Sequence, residues 1–306
     1  MKKVLIATEK PFAKAAVDSI KEIADKAGYE LVLLEKYTEK AQLLEAVADV
    51  DAMIIRSDKA TKEILDAAKN LKVIVRAGAG YDNIDLEAAT ANNIVAMNTP
   101  GQNSNAVAEL AFAMMTFLAR GCFNGKAGTE LKGKTIGIHA YGNVGRYVAE
   151  IAKGFKMDVY AFDPFIENSA IEADGVKPVK SAVELYKTCQ YVSLHIPAND
   201  KTKKSINKTL LEIMPTNAVL VNTARKEVIH EEDLLEIMES RPDFKYISDI
   251  APDCKDVFAE KYEGRFFFTP KKMGAQTAEA NINAGIAGIT QIINFLENGD
   301  KTFKVN

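Results

Sequence analysis

Short apolar, β-branched runs alternate along the chain with stretches of helical periodicity, and this alternation restricts the fold more than any other feature. Residues 4–7 (VLIA) precede a helical stretch over 13–27, which leads into a second apolar run at 31–34; residues 52–56 and 73–75 continue the series. A second series passes through 135–140, 158–162, 191–196, 218–222, 246–249 and 266–269. Strands covered on both faces read as continuous apolar runs, and intervening helices supply the crossovers that parallel pairing requires. The expected fold class is therefore α/β, with two doubly wound parallel sheets. A long apolar helix near 105–118 connects the two series, and a last helix over 278–298 packs back on the first domain.

Composition agrees with this size of architecture. A chain of 306 residues, 47% of them apolar, can bury a core in each of two domains. A net charge of −3 argues against nucleic acid or an anionic membrane surface as partner. Cys122, Cys189 and Cys254 share no short spacing, and no histidine–cysteine set has zinc spacing, so neither a metal nor a disulfide framework is expected. The apolar run after the two initial lysines is too short for a signal peptide, and no stretch approaches the roughly 18 apolar residues of a membrane span. These features predict a cytoplasmic protein.

The most informative local stretch is GIHAYGNVGRYVAEIAKGF at 137–155, which follows a strand and opens a helix. Gly142 and Gly145 occupy the second and third glycine places of a dinucleotide fingerprint, with Asn143 and Val144 between them. The second glycine lets the backbone approach a pyrophosphate, and the third lets helix and strand pack closely. The helix N-terminus then offers N–H groups and a partial positive charge to phosphate. Asp163 ends the next strand, where it would accept from the ribose hydroxyls and repel a 2′-phosphate, which favours NAD over NADP. The first glycine place holds Ala140, and the bland alternative is an ordinary tight turn with a capping aspartate.

Five further stretches carry a resemblance: RAGAGYDNID (76–85), NTPGQNSNAVAEL (98–110), SLHIPANDKT (193–202), VNTARKEVI (221–229) and TPKKMGAQT (269–277). In order and spacing they resemble the D-2-hydroxyacid dehydrogenase family over nearly the whole chain, and the first two look most like its branch acting on D-3-phosphoglycerate, at the entry to serine biosynthesis. The resemblance implies a Rossmann cofactor domain over 100–280 inserted into a flavodoxin-like substrate domain made of 1–99 and 281–306, with the active site in the cleft and a homodimeric assembly. It also implies NAD as cofactor and a small phosphorylated 2-hydroxy acid as substrate. Because the sequence stops at Asn306, no room is expected for the regulatory C-terminal domain of long family members.

By the same resemblance Arg225 matches the catalytic arginine, whose guanidinium grips the carboxylate in a fork and polarises the C2 oxygen. Asp249 matches the acid that meets the cofactor amide, Thr223 and Ala224 line the same wall, and His195, Ile196 and Pro197 line the adenosine side. Backbone N–H groups at Gly78 and Ala79 would receive the substrate carboxylate, and Asn103 corresponds to a substrate-contacting asparagine. The family places its acid/base histidine just before a Gly-Gly or Gly-Ala turn, but here residues 269–275 read TPKKMGA, without histidine. Counted back from Gly274, taken to open the following helix, that place falls on Lys272; counted forward from Pro270 it falls on Lys271. The glutamate expected to charge the histidine is replaced by Cys254. Losing that acid suits a lysine, which a neighbouring carboxylate would otherwise hold protonated, so Lys272 is expected to be the general base for oxidation and the acid for reduction.

His195 could substitute as base; His139 reads as a core residue and His230 as a helix start. Arg56, Lys59 and Arg76, at strand ends of the first series, are candidates for a substrate phosphate, because doubly wound sheets bind ligands beyond their C-terminal strand ends. The segment 120–134 lacks the Trp-x-Arg-like portion that relatives direct to a partner subunit, leaving Lys126 as a cation there. Two alternatives remain open: a reductase of another 2-keto acid (hydroxypyruvate, glyoxylate or pyruvate), which would differ only in the phosphate handle, and a non-catalytic NAD-sensing scaffold.

Overall fold

Burial on both faces explains the strands. In the first of them Val4, Leu5, Ile6 and Ala7 are all inaccessible to solvent, with Val4 and Ile6 in one core and Leu5 and Ala7 in another, as the pleat of a doubly covered sheet dictates. The computed structural model describes residues 1–306, which divide into two units, Met1–Asn103 with Gln276–Asn306, and Ser104–Ala275. The strands are β1 (Lys3–Thr8), β2 (Glu30–Glu35), β3 (Ala52–Ile55), β4 (Val73–Arg76), β5 (Val95–Asn98), β6 (Thr135–His139), β7 (Asp158–Phe162), β8 (Lys177–Pro178), β9 (Tyr191–Leu194), β10 (Val219–Asn222), β11 (Lys245–Ser248) and β12 (Phe266–Phe268). The helices are α1 (Lys14–Lys26), α2 (Lys40–Ala46), α3 (Lys62–Ala67), α4 (Leu86–Ala91), α5 (Ser104–Ala119), α6 (Asn143–Gly154), α7 (Asn168–Ala173), α8 (Ala182–Thr188), α9 (Lys208–Leu211), α10 (Glu231–Ser240), α11 (Lys255–Lys261) and α12 (Ala278–Asn298).

In the first unit the sheet order is β2-β1-β3-β4-β5, all parallel, which is the flavodoxin-like winding. The helix α1 buries Ala16, Ile20 and Ala24, one apolar residue per turn, against α12. Close approach there requires Gly285, since a Cβ on it would stand 2.8 Å from Ile20 Cδ1. Thr277 caps α12 by accepting the Ala280 N–H at 3.1 Å, and Gly299 ends it in the left-handed region at φ 70°.

Two strands were absent from the sequence reading. The strand β5 carries an apolar run at residues 94–97, directly behind a left-handed Asn93, that the reading passed over, and β8 is a two-residue edge strand containing a proline, which offers no run. The chain end completes the edge at β5: Lys304 bridges Met97 in antiparallel sense, Val305 N–H donates to the Ala96 carbonyl at 2.9 Å, and Asn306 Oδ1 accepts the Ala96 N–H at 2.9 Å.

The second unit holds a seven-stranded parallel sheet in the order β12-β11-β10-β9-β6-β7-β8. Counting its strands from β6, this is the Rossmann order with one strand added, and the winding reverses between β6 and β9. Ile136, Ile138, Val219 and Val221 face the core under α5 and α6, whereas Val192, Leu194 and Leu220 face the core under α8 to α11. The helix α5 is apolar on most of its circumference and correspondingly buried along its length.

Candidate functional site

The glycine turn follows β6 at the reversal point. Ala140 holds φ at 78°, a conformation that suits glycine and disfavours a side chain, so the missing first glycine is replaced without changing the backbone path. Gly142 begins α6 with no side chain capping its first N–H groups, and a Cβ there would meet nothing within 4 Å. At Gly145 the reverse holds: a Cβ would lie 2.5 Å from the Ala140 carbonyl oxygen and 3.0 Å from Ile138 Cγ2. Uncapped N–H groups beneath open space, with tight helix–strand packing behind them, fit the diphosphate of a dinucleotide. Asn143 and Val144 form the first turn of α6 between these glycines.

Asp163, just past β7, braces this turn. One carboxylate oxygen accepts the Tyr141 N–H at 2.8 Å and the other accepts the Phe165 N–H at 2.8 Å. Tyr141 is fully buried; its hydroxyl donates to Asp174 at 3.1 Å, and the Arg146 guanidinium, paired with the same aspartate, sits 5.0 Å from the ring centroid. These contacts are those of the turn-capping aspartate that stood as the alternative to a ribose ligand.

Beyond β9, the His195 N–H donates to the His139 carbonyl at 2.9 Å, and its ring nitrogens lie 2.9 Å from Ser193 Oγ and 3.4 Å from Thr223 Oγ1. Burial, with His139 adding repulsion, pushes His195 down to about 3. His139 is itself lowered to about 4 by burial, against a small opposing pull from Asp163, and its Nδ1 sits 3.2 Å from the Tyr186 hydroxyl. Both imidazoles are therefore neutral at ordinary pH, which suits walls of a site better than a base that must hold a proton. Ile196 is buried and Pro197 exposed on the same loop, and His230 caps α10, accepting the Asp233 N–H.

The end of β10 carries Thr223, Ala224 and the half-buried Arg225. Asn222, 2% exposed, accepts the Ala224 N–H at 3.0 Å and donates to the Arg225 carbonyl at 3.0 Å and to the Tyr246 hydroxyl at 3.3 Å. Arg225 Nη1 donates to the Ala224 carbonyl at 2.9 Å. Sequence reading overlooked Asn222, which looks like any polar residue closing a strand; its position three residues before an arginine was the available signal.

Asp249, 3% exposed at the end of β11, organises the lysine-bearing loop. Oδ1 accepts Thr269 Oγ1 at 2.8 Å and the Met273 N–H at 2.7 Å, while Oδ2 accepts the Gly274 N–H at 2.8 Å. Gly274 does not open a helix as expected; it lies in a turn, and Thr277 caps α12. What fixes Gly274 is the Asp249 carboxylate and the side of Val107, 2.9 and 3.1 Å from a Cβ placed there. Lys271 and Lys272 stand exposed on the loop this carboxylate holds. Cys254 caps α11 with its backbone, donating its N–H to Glu231 at 2.9 Å, and burial pushes its thiol up to about 12.

In the first unit Arg56 follows β3, but its guanidinium is taken up by the Lys10 and Pro11 carbonyls, each at 3.3 Å, by Asn281 Oδ1 and by the face of Phe12. That clamp holds the β1–α1 turn to α12 and departs from the expected phosphate ligand. Arg76 donates from Nε to the Arg56 carbonyl at 3.0 Å, and its side chain crosses Gly78, where a Cβ would overlap Nη1 at 1.5 Å. Lys59 and Ala79 are exposed and Asn103 is half-buried. The Gly78 N–H donates to the Arg76 carbonyl at 2.9 Å, so of the two amides expected to receive a carboxylate only that of Ala79 stays unengaged. No group of three or more histidine, cysteine or carboxylate side chains in the chain could hold a metal ion, and no helix is long and apolar enough to cross a membrane.

Comparison with known proteins agrees with this geometry. A profile of the NAD-binding domain of D-isomer specific 2-hydroxyacid dehydrogenases matches residues 106–255. The hydroxypyruvate reductase of Thermotoga maritima is 33% identical over 86% of this chain and 90% of its own length. The D-3-phosphoglycerate dehydrogenase of Methanocaldococcus jannaschii is 35% identical over 83% of this chain; the match spans 51% of that protein, so the chain accounts for about half the length of this relative. An NAD⁺-bound 3-phosphoglycerate dehydrogenase structure from Entamoeba histolytica superposes with a TM-score of 0.90 at 49% identity, covering 100% of this chain and 98% of that one. With its two parallel sheets, its glycine turn and a relative matched over most of its length, this chain belongs to the D-isomer specific 2-hydroxyacid dehydrogenase family of NAD-dependent oxidoreductases.

Proposed function

We propose that the chain interconverts D-3-phosphoglycerate and 3-phosphohydroxypyruvate, the step that commits phosphoglycerate to serine, as a cytoplasmic homodimer. The observation that carries the reading is the mounting of Arg225: a buried amide holds the Ala224 N–H and the Arg225 carbonyl, so the guanidinium leaves a rigid strand end. Arg225 binds the substrate carboxylate and draws charge from the C2 oxygen. Lys272 takes the proton from the C2 hydroxyl as C2 becomes a ketone, and returns it in reduction. NAD, when bound, accepts the hydride from C2. Gly142, Asn143, Val144 and Gly145 present N–H groups to its diphosphate and Asp163 faces its ribose. His195, Ile196, Pro197, Thr223, Ala224, Asp249 and Gly274 line its remaining length.

Phosphate recognition is assigned to Lys59 and Arg76, with Arg56 holding the Lys10 and Pro11 carbonyls and Asn281. Ala79 and Asn103 are assigned to the remainder of the substrate. The Entamoeba histolytica structure, 49% identical over the whole of this chain, supports the phosphorylated substrate. A second reading, reduction of hydroxypyruvate itself, draws support from the Thermotoga maritima relative, matched over 90% of its length, and from the loss of Arg56 as a phosphate ligand. The test is NADH oxidation by the purified protein with 3-phosphohydroxypyruvate and, separately, hydroxypyruvate. Preference for the phosphorylated acid by about tenfold or more, an increment of about 1.4 kcal/mol, is expected. Equal rates, or faster hydroxypyruvate reduction, would move the assignment to the second reading.

A further inference from the structure

We propose that Asn222 is a positioning residue for the substrate arginine, acting through a single buried amide that holds the backbone on both sides of the Arg225 side chain's attachment, at the Ala224 N–H and the Arg225 carbonyl. The proposal rests on the reading of Arg225 as the carboxylate anchor. An asparagine amide has an acceptor oxygen and an NH₂ donor group, and both are used here. Oδ1 accepts the Ala224 N–H and Nδ2 donates to the Arg225 carbonyl, each at 3.0 Å, with the Tyr246 hydroxyl at 3.3 Å completing the set. Ala224 is thereby held at its N–H by Asn222, while its carbonyl, in the following peptide, accepts from Arg225 Nη1 at 2.9 Å.

Asn222 is also tied backward into the sheet. Its own carbonyl accepts the Asp249 N–H at 2.9 Å and Ser248 Oγ at 3.2 Å, so the strand end bearing Arg225 is registered against the strand end bearing Asp249. Asp249 in turn holds the loop of Lys271 and Lys272 through Met273 and Gly274. The arrangement sets the arginine at a fixed distance from the loop that carries the lysine, without Asn222 touching substrate. A residue whose worth lies in such placement shows itself by non-additivity: its loss matters only while the group it places is present.

The experiment is a double-mutant cycle on the full chain with Asn222→Ala, Arg225→Lys and both together. Three readouts are taken: kcat and KM for the 2-keto acid that the unaltered enzyme reduces, NADH affinity by fluorescence, and calorimetric binding of oxalate, a planar dicarboxylate mimic of a 2-keto acid, to the NADH complex. Asn222→Ala is expected to lower kcat/KM by about 100-fold, the scale of a misplacement near 1 Å, with NADH affinity within about twofold of the original. In the Arg225→Lys background the same change is expected to cost less than about threefold. If the alanine variant does not fold, Asn222→Asp takes its place in the cycle, since it keeps the acceptor for Ala224 and removes the donation to Arg225.

Multiplicative losses, or an equal fall in NADH affinity, overturn the proposal and leave the enzyme reading intact. No turnover of any 2-keto acid, with oxalate binding that shows the same coupling, overturns the enzyme reading and supports the proposal. Neither turnover nor oxalate binding overturns both.

Discussion

Asp249→Ala removes the three contacts that shape the 269–274 loop, and its cost can be worked from the structure. The carboxylate is 3% exposed and takes Thr269 Oγ1, Met273 N–H and Gly274 N–H between 2.7 and 2.8 Å. A buried donor left without a partner costs about 1–3 kcal/mol. Gly274 is buried and takes the middle of that range, roughly 2 kcal/mol; Met273 is half-buried, so water reaches it and the cost is nearer 1 kcal/mol. The Thr269 hydroxyl can turn to another acceptor and adds at most about 1 kcal/mol. The sum, about 4 kcal/mol, is an upper bound, because the loop can detach and hydrate its amides instead, giving up its packing on Val107. We expect a loss of about 2–4 kcal/mol, which at about 2–4 °C per kcal/mol lowers the melting temperature by roughly 4–16 °C. Thr269→Val, which removes one contact and keeps the shape, is expected to cost about 1 kcal/mol. Circular dichroism melting gives the stability, and hydrogen exchange at amides 273 and 274 reports the loop directly. A variant melting within about 2 °C of the original, with those two amides still protected, would refute the account of Asp249 as the loop's anchor.

Gly145→Ala places a methyl group 2.5 Å from a backbone oxygen that cannot rotate away, so α6 must shift; a stability loss of about 1–3 kcal/mol and weaker NADH binding by fluorescence titration are expected. Unchanged NADH affinity would contradict the close-packing role. Lys272→Ala is expected to lower kcat by about 10²–10⁴-fold while NADH still binds, and near-normal turnover would exclude it as the acid/base. Acid should weaken the protein through His139 and His195, whose folded-state values of about 4 and about 3 lie below the 6.5 of an exposed imidazole. Below about pH 6.5 the unfolded chain takes up protons that the folded one refuses, so each contributes a loss of about 1.4 kcal/mol per pH unit, complete only below its folded value. His139→Gln should halve the slope of melting temperature against pH between about 6.5 and 5, and a flat profile in the unaltered protein would contradict the buried neutral imidazoles.

The sequence exposed those parts of the molecule whose cause is local. Apolar runs marked ten of the twelve strands; β8 escaped because two residues, one of them proline, give no run to read, whereas the apolar residues of β5 were passed over between the helical stretches that flank them. The glycine places at 142 and 145 were visible because each answers to a backbone constraint within its own turn. Partnerships across the chain were not visible. Arg56 stands at a strand end as the cations of a phosphate site would, yet its charge is spent on carbonyls of residues 10 and 11 and on Asn281, which only the folded chain brings together. Gly274 was given a helix to open, whereas the constraint on it is a carboxylate 25 residues earlier. Tyr141 carries no sequence signature and Asn222 only its spacing to Arg225, since an asparagine or a tyrosine acquires its meaning from what its polar atoms meet.

The winding of the first unit from both ends of the chain bears on how the protein is born. Its sheet comes from residues 1–103, but α12, which covers Ile20 and Ile54, and the final residues that close the β5 edge belong to 276–306. A ribosome moving at about 5–20 residues per second therefore completes the second unit, which is continuous in sequence, while the first waits with α1 and one side of β3 and β4 uncovered. For roughly ten to thirty seconds that apolar surface is exposed on the nascent chain. It is the stretch on which a chaperone would be expected to sit, and where truncations before α12 would aggregate instead of merely losing activity.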